Sequence, residues 1–194
     1  MENPPEIITP SNQDLTIRQG KVKVAGVKYW DAEYIRDRMG KIDNLNHRIM
    51  FAFLWYTGVR ITEAINVTKD SLDFINFTAT IRWQKHKKKK GPWLTRNIAL
   101  YPDLKTMLEI FVSSLKAKDR IFPMTRQRAW QLSTRYFGGN PHMFRHSFAV
   151  NWLRHGGDIF ILSKMLGHSD IKNTMVYLDI VLMDVGRELL KIQF

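Results

Sequence analysis

The sequence predicts a mainly helical protein with one small three-stranded antiparallel sheet. Three observations carry that reading. Apolar residues recur at helical spacing in several stretches, among them Leu45, Ile49, Phe53 and Tyr56, then Leu104, Leu108, Phe111 and Leu115, then Phe144, Phe148 and Trp152. Between residues 71 and 99 the period falls to two, with Phe77, Ala79, Ile81 and Trp83 alternating before a loop and WLTRNIAL after it. Glycines at 58, 156, 157 and 167 stand where helical patterns stop, because glycine accepts the left-handed conformation of a helix end.

In chain order, residues 1–28 read as a leader or linker, partly disordered. Pro4, Pro5 and Pro10 discourage regular structure there, and KVKVAGV offers at most a short strand or basic arm. One domain is expected over 29–194, with no room in the leader for a further one. A short helix is expected from Trp30 to Met39, and a stronger one from Leu45 to the stop at Gly58. TGVRITEAINV follows, residues 57–67, in which the glycine permits a tight turn and Arg60 emerges just before a short helix. Glu63, three residues on, can pair with a neighbouring cation.

The sheet comes next, its third strand expected at SLDF. The hairpin loop QKHKKKKGP carries Lys85, Lys87, Lys88, Lys89 and Lys90. Such a run is either a solvated tip or a basic finger that lies along a phosphate backbone and delivers one ammonium to a reacting oxygen. Helices are then expected over Pro102–Lys116 and 125–137. The second presents Arg126, Arg128 and Arg135, with Gln127 and Gln131, suited to phosphates and base edges.

Pro141 to Tyr177 reads as three short helices. Asn140 and Pro141 start the first, Asp158 caps the second, and Ser169 or Asp170 caps the third, which contains Tyr177. His142 and Arg145, three apart, share a helix edge and can present an imidazole and a guanidinium to one anion. His168 sits in the turn after Gly167. The last 17 residues hold an apolar cluster (Val185, Leu189, Leu190, Ile192) expected to fold back or move freely.

Charge and composition narrow the function. Lys+Arg outnumber Asp+Glu by 30 to 18, a net charge of +12, which points to a polyanionic partner, nucleic acid before membrane. No cysteine is present, so disulfides, thiol nucleophiles and cysteine-based zinc sites are excluded. No apolar run approaches membrane-spanning length, and a cytoplasmic, DNA-associated protein is expected.

These elements together resemble the catalytic domain of the tyrosine recombinase (phage integrase) family. The resemblance rests on TGVRITEAINV, the lysine-bearing hairpin, HMFRHSFAVNWL and LGHSDIKNTMVYLDI, in that order, with His168 and Tyr177 nine residues apart. It runs from about Trp30 to the C-terminus. It implies an integrase-like fold and a site-specific recombinase that cleaves and rejoins double-stranded DNA through a covalent 3′-phosphotyrosine, with no metal, ATP or cofactor. In that scheme Arg60 and Arg145 clamp the scissile phosphate, flanked by His142 and His168. Tyr177 attacks phosphorus, a hairpin lysine (Lys85 first, Lys87 or Lys88 as rivals) protonates the leaving oxygen, and Glu63 supports the site. A homo-oligomer, a tetramer on DNA, is implied.

Three other readings compete. A type IB topoisomerase uses similar chemistry to relax strain, though the spacing favours a recombinase. A non-catalytic basic DNA-binding module explains the charge but leaves the Arg, His, Arg, His, Tyr series a coincidence. A metallohydrolase built on His142, His146 and His168 lacks the glutamate that a zinc helix carries after its first histidine.

Overall fold

The computed structural model describes residues 16–189 apart from 19, 25 and 85–92. The fold is mainly helical, as the sequence indicates, but the described residues form two three-stranded antiparallel sheets rather than one. The additional sheet, β1 (Thr16–Arg18), β2 (Lys21–Val24) and β3 (Val27–Trp30), lies in the stretch expected to be a leader. The boundary expected at residue 28 therefore falls inside a strand. The KVKV alternation of β2 matches the short strand considered there, whereas β1 and β3, three and four residues long, are too short for a pattern to show, and tertiary packing supports them.

The helices follow the sequence signals closely. Asp31 caps α1 (Ala32–Gly40) and Asn44 caps α2 (Leu45–Thr57), each accepting a hydrogen bond from a backbone N–H three residues on. After the single turn α3 (Ile61–Ala64) come β4 (Leu72–Asp73), β5 (Thr78–Gln84) and β6 (Trp93–Ala99). The register runs from Thr78 opposite Ala99 to Gln84 opposite Trp93, so Lys85 directly follows the last pair. Phe77, expected as a strand residue, instead sits in the preceding turn at φ 54 and is 43 % exposed. The helices α4 (Pro102–Phe111), α5 (Arg126–Phe137), α6 (His142–Arg154), α7 (Ile159–Leu166) and α8 (Lys172–Leu189) complete the order. α8 is longer than the short helix expected around Tyr177, because nothing from Tyr177 to Val185 breaks it.

α2 and α6 form the centre. Ile49 to Trp55 are all buried, so α2 is enclosed on every side rather than along one stripe, and Leu45 is exposed. A cluster of rings joins the elements, with Trp30–Phe144, Phe51–Phe137 and Phe137–Phe144 centroids 4.9, 4.9 and 4.8 Å apart. Each ring removed from water contributes about 1.5–3 kcal/mol. A second core lies on the other side of α6, where Val22, Val24 and Tyr29 of the N-terminal sheet pack with Leu162, Leu166, Tyr177 and Ile180. The Trp30 backbone N–H donates to Ser147 Oγ at 2.8 Å, pinning β3 to α6.

Candidate active site

The first part of the site is built at the end of α2. Gly58 closes that helix at φ 62, and a Cβ there would lie 2.3 Å from the Phe148 ring, so only glycine lets α2 meet α6 so closely. The chain then turns outward and Arg60 becomes the residue that starts α3. Its backbone N–H donates to Glu63 Oε2 at 2.9 Å and its Nη1 to Oε1 at 3.1 Å. Glu63 is only 5 % exposed, and from the opposite side Arg96 of β6 grips both carboxylate oxygens, Nη1 to Oε1 at 3.2 Å and Nη2 to Oε2 at 2.8 Å. Burial alone would raise the Glu63 pKa. The hydrogen bond and charge of Arg96, then those of Arg60, outweigh it and hold the carboxyl below its ordinary value.

The second part comes from α6. Arg145 is 1 % exposed and donates from Nη1 to the Gly58 carbonyl at 3.1 Å and from Nη2 to the Leu166 carbonyl at 2.7 Å. One guanidinium thus joins the turn before Arg60 to the last turn of α7. Burial, then the charge of Arg60, pull the Arg145 pKa down to about 10, with Glu63 and Tyr177 opposing; it stays a cation at neutral pH. Asn140 Oδ1 accepts the His142 N–H at 3.0 Å, fixing the start of the helix. The His142 ring stands edge-on to His146 with centroids 4.5 Å apart.

The third part is the turn and helix carrying His168 and Tyr177. Gly167 ends α7 in the left-handed conformation and His168 follows, its Nδ1 2.7 Å from Thr174 Oγ1 in the first turns of α8. Tyr177, 3 % exposed, places its hydroxyl 2.8 Å from His146 Nδ1. Desolvation is the main cause of depressed pKa values at His146, to about 3, and at His168, to about 4; neighbouring cations and imidazoles add to it. His142 is lowered in the same direction by desolvation, Arg145 and Arg60. With His146 neutral and carrying its proton on Nε2, the phenol donates to Nδ1. Burial raises the Tyr177 pKa, against the pull of Arg145 and Arg60, so the resting phenol is neutral.

Arg60, Glu63, His142, Arg145, His168 and Tyr177, singled out in the sequence, therefore meet in one place. Three guanidiniums, of Arg60, Arg96 and Arg145, face one carboxylate, Glu63, a surplus of two positive charges suited to an anion. Arg126, Arg128 and Arg135 are exposed on α5, outside this cluster, alongside exposed Trp130. Lys85, Lys87, Lys88, Lys89 and Lys90 lie outside the described residues.

Two site residues escaped the sequence reading. Arg96 left a signal, since in WLTRNIAL it shares the parity of Leu94 and Ile98, the less exposed face of the strand. His146 read only as half of a metal-binding pair, whereas its Nδ1 meets Tyr177 and that of His168 meets Thr174.

The phage integrase family model matches residues 31–181, well over half of the sequence. The chain belongs to the phage integrase family. Among its relatives, the tyrosine recombinase XerA of Saccharolobus solfataricus is 27 % identical over 176 residues, covering 88 % of this chain and 58 % of that protein. The tyrosine recombinase XerD of Staphylococcus aureus is 29 % identical over 158 residues, covering 72 % of this chain and 52 % of that one. This integrase-family chain thus spans a little over half the length of those relatives. Solved structures with the same fold include XerA recombinase, with a TM-score of 0.64 at 21 % identity over 86 % of this chain and 64 % of that one. The XerH site-specific recombinase, in a post-cleavage complex with a palindromic difH substrate, gives 0.65 at 16 % identity over 83 % and 52 %. The catalytic domain of bacteriophage HP1 integrase gives 0.60 at 23 % identity over 78 % and 86 %.

Proposed function

We propose that this integrase-family domain is the catalytic part of a site-specific DNA recombinase that cuts and rejoins strands through a phosphotyrosine at Tyr177. The observation that carries the reading is the clustering of His142 and His168 with Arg60 and Arg145, the two arginines whose charge also reaches the Tyr177 phenol. A phosphodiester resists nucleophiles until its charge is offset, and fixed guanidiniums offset it without a metal. Arg60, 39 % exposed, is the arginine open to the incoming phosphate, and Arg145 supplies charge from beneath.

Tyr177 Oη attacks phosphorus, the bond to the sugar 5′-oxygen breaks, and a 3′-phosphotyrosine forms. A tyrosine of ordinary pKa is ionised in only about one molecule in a thousand at pH 7, so the proton must leave as the oxygen attacks. His146 Nδ1 already accepts that hydrogen and is the nearest group to take it. A lysine of the 85–90 run gives its proton to the departing 5′-oxygen. The new bond keeps the energy of the old one, so a 5′-hydroxyl of a second strand reverses the step without ATP. Because Tyr177 is buried against His146, delivery of the nucleophile is a step distinct from DNA binding. The similar fold of the Tn1549 transposon integrase was solved in complex with transposon right end DNA, which supports DNA as the partner here, and a tetramer on DNA would bring two duplexes together.

The test is incubation with nicked duplexes of candidate sites and a denaturing gel. A protein–DNA adduct present with the native chain and absent with Tyr177→Phe supports the reading. An adduct that survives Tyr177→Phe assigns the nucleophile elsewhere and overturns it.

A further inference from the structure

We propose that Arg96 is a positioning residue that holds Arg60 and the His168 turn in register through Glu63 and the end of α7. Its three guanidinium nitrogens are all engaged, Nη1 and Nη2 with the two oxygens of Glu63 and Nε with the Met165 carbonyl at 2.9 Å. The side chain is 10 % exposed, so it acts through other residues rather than on substrate. Glu63 in turn grips both the backbone N–H and the Nη1 of Arg60, which fixes the direction of that guanidinium.

On the other side, Met165 lies in the last turn of α7, two residues before the glycine that turns the chain out to His168. A Cβ at Gly167 would come within 3.1–3.3 Å of the Arg96 guanidinium, so this turn sits directly on it. The strand beneath is paired along its length, with Arg96 opposite Ile81 in the β5–β6 ladder. That same pair of strands carries the lysine loop at its far end. One guanidinium therefore ties together Arg60, the turn before His168 and the base of the lysine hairpin. Arg145 makes a parallel link from the Gly58 carbonyl to the Leu166 carbonyl, donating to backbone where Arg96 donates to Glu63.

Lysine cannot replace this arrangement, because a single ammonium does not span a carboxylate and a carbonyl as the guanidinium fork does. The inference rests on the recombinase reading, and the experiment separates the two. Arg96→Lys, Arg96→Met and the double variant Arg96→Met/Glu63→Gln are compared with the native chain for DNA affinity and for adduct formation on a nicked duplex at saturating protein. We expect Arg96→Met to lower the adduct rate about tenfold to a hundredfold, the scale of a small misplacement of reacting groups. Arg96→Lys should recover only part of that loss. Affinity should stay within about threefold, since contacts to DNA phosphates set it.

Loss of Arg96 leaves Glu63 facing the cations Arg60 on α3 and Arg145 on α6 alone. Its carboxyl then protonates at higher pH, so the Arg96→Met rate falls further toward acid than the native rate. Adding Glu63→Gln should remove that extra fall, which lost packing alone would not do. The His168 imidazole signals, read by two-dimensional NMR, should also move in Arg96→Met whatever the activity. A native chain without adduct overturns the recombinase reading, and the NMR signals then decide the positioning role by themselves. An active native chain with an unchanged Arg96→Met rate, or unmoved His168 signals in either case, overturns the role of Arg96.

Discussion

Arg145→Ala separates structural from chemical work in this site, and its cost can be worked from the contacts. The guanidinium is 1 % exposed and satisfies the carbonyls of Gly58 and Leu166. Removing it strands two buried acceptors, each costing about 1–3 kcal/mol, in addition to the void left by the side chain. The two acceptors alone give about 2–6 kcal/mol, and for a chain of this size that lowers the melting temperature by about 4–24 °C. Arg145→Lys keeps the charge but reaches one carbonyl at most, so its melting temperature should fall between native and alanine. Adduct formation should drop by about a hundredfold or more in both folded variants, because the fixed charge beneath the reacting phosphate is removed in one and displaced in the other. Thermal unfolding followed by circular dichroism, with the nicked-duplex assay run well below the midpoint, reads both effects. An Arg145→Ala protein that melts with the native chain would refute the link between the Gly58 turn and α7.

Two further predictions concern charge. The folded pKa values of His146 and His168, about 3 and about 4, lie below the ordinary 6.5, so between these limits the unfolded chain binds protons that the native state refuses. Their contribution is complete above pH 6.5 and is lost as pH falls, so urea unfolding should show about 2–4 kcal/mol less stability at pH 5 than at pH 7; a flat profile would contradict the burial of these neutral rings. DNA affinity should fall with salt at a slope near −5 if about six phosphates are neutralised, and alanines at Lys87 to Lys90 should flatten it. An unchanged slope would make the lysine run a bystander.

How far the sequence could be read follows from where each signal resides. Helix ends were legible where their causes are local: Asp158 caps through its own side chain, and Gly58 and Gly167 adopt positive φ. The β5–β6 hairpin was legible because Ala79 and Ile81 alternate with exposed or partly exposed neighbours. α2 was recognised as a helix from Leu45, Ile49, Phe53 and Tyr56, but its enclosure was not, since burial of Met50, Phe51, Ala52, Leu54 and Trp55 as well depends on the elements packed round it. Site residues on short segments, Arg60, His142, Arg145 and His168, stood out by type and spacing. Arg96 and His146 did not, because each gains its meaning from a distant partner, Glu63 across the sheet edge and Tyr177 on α8. Of the N-terminal sheet only the short strand at KVKV was considered; its pairing with β1 and β3 was not, as those strands are held by Ser147 and the second core.

The measurement that bears most directly on the central claim is the identity of the residue bonded to DNA. The adduct is trapped on a nicked duplex, digested with nuclease and protease, and the modified peptide sequenced by mass spectrometry. The account predicts a nucleotide 3′-phosphate on the peptide containing Tyr177, with the phenolic oxygen as the attachment point. A 5′-linked nucleotide, or a modification on any other side chain, would contradict it.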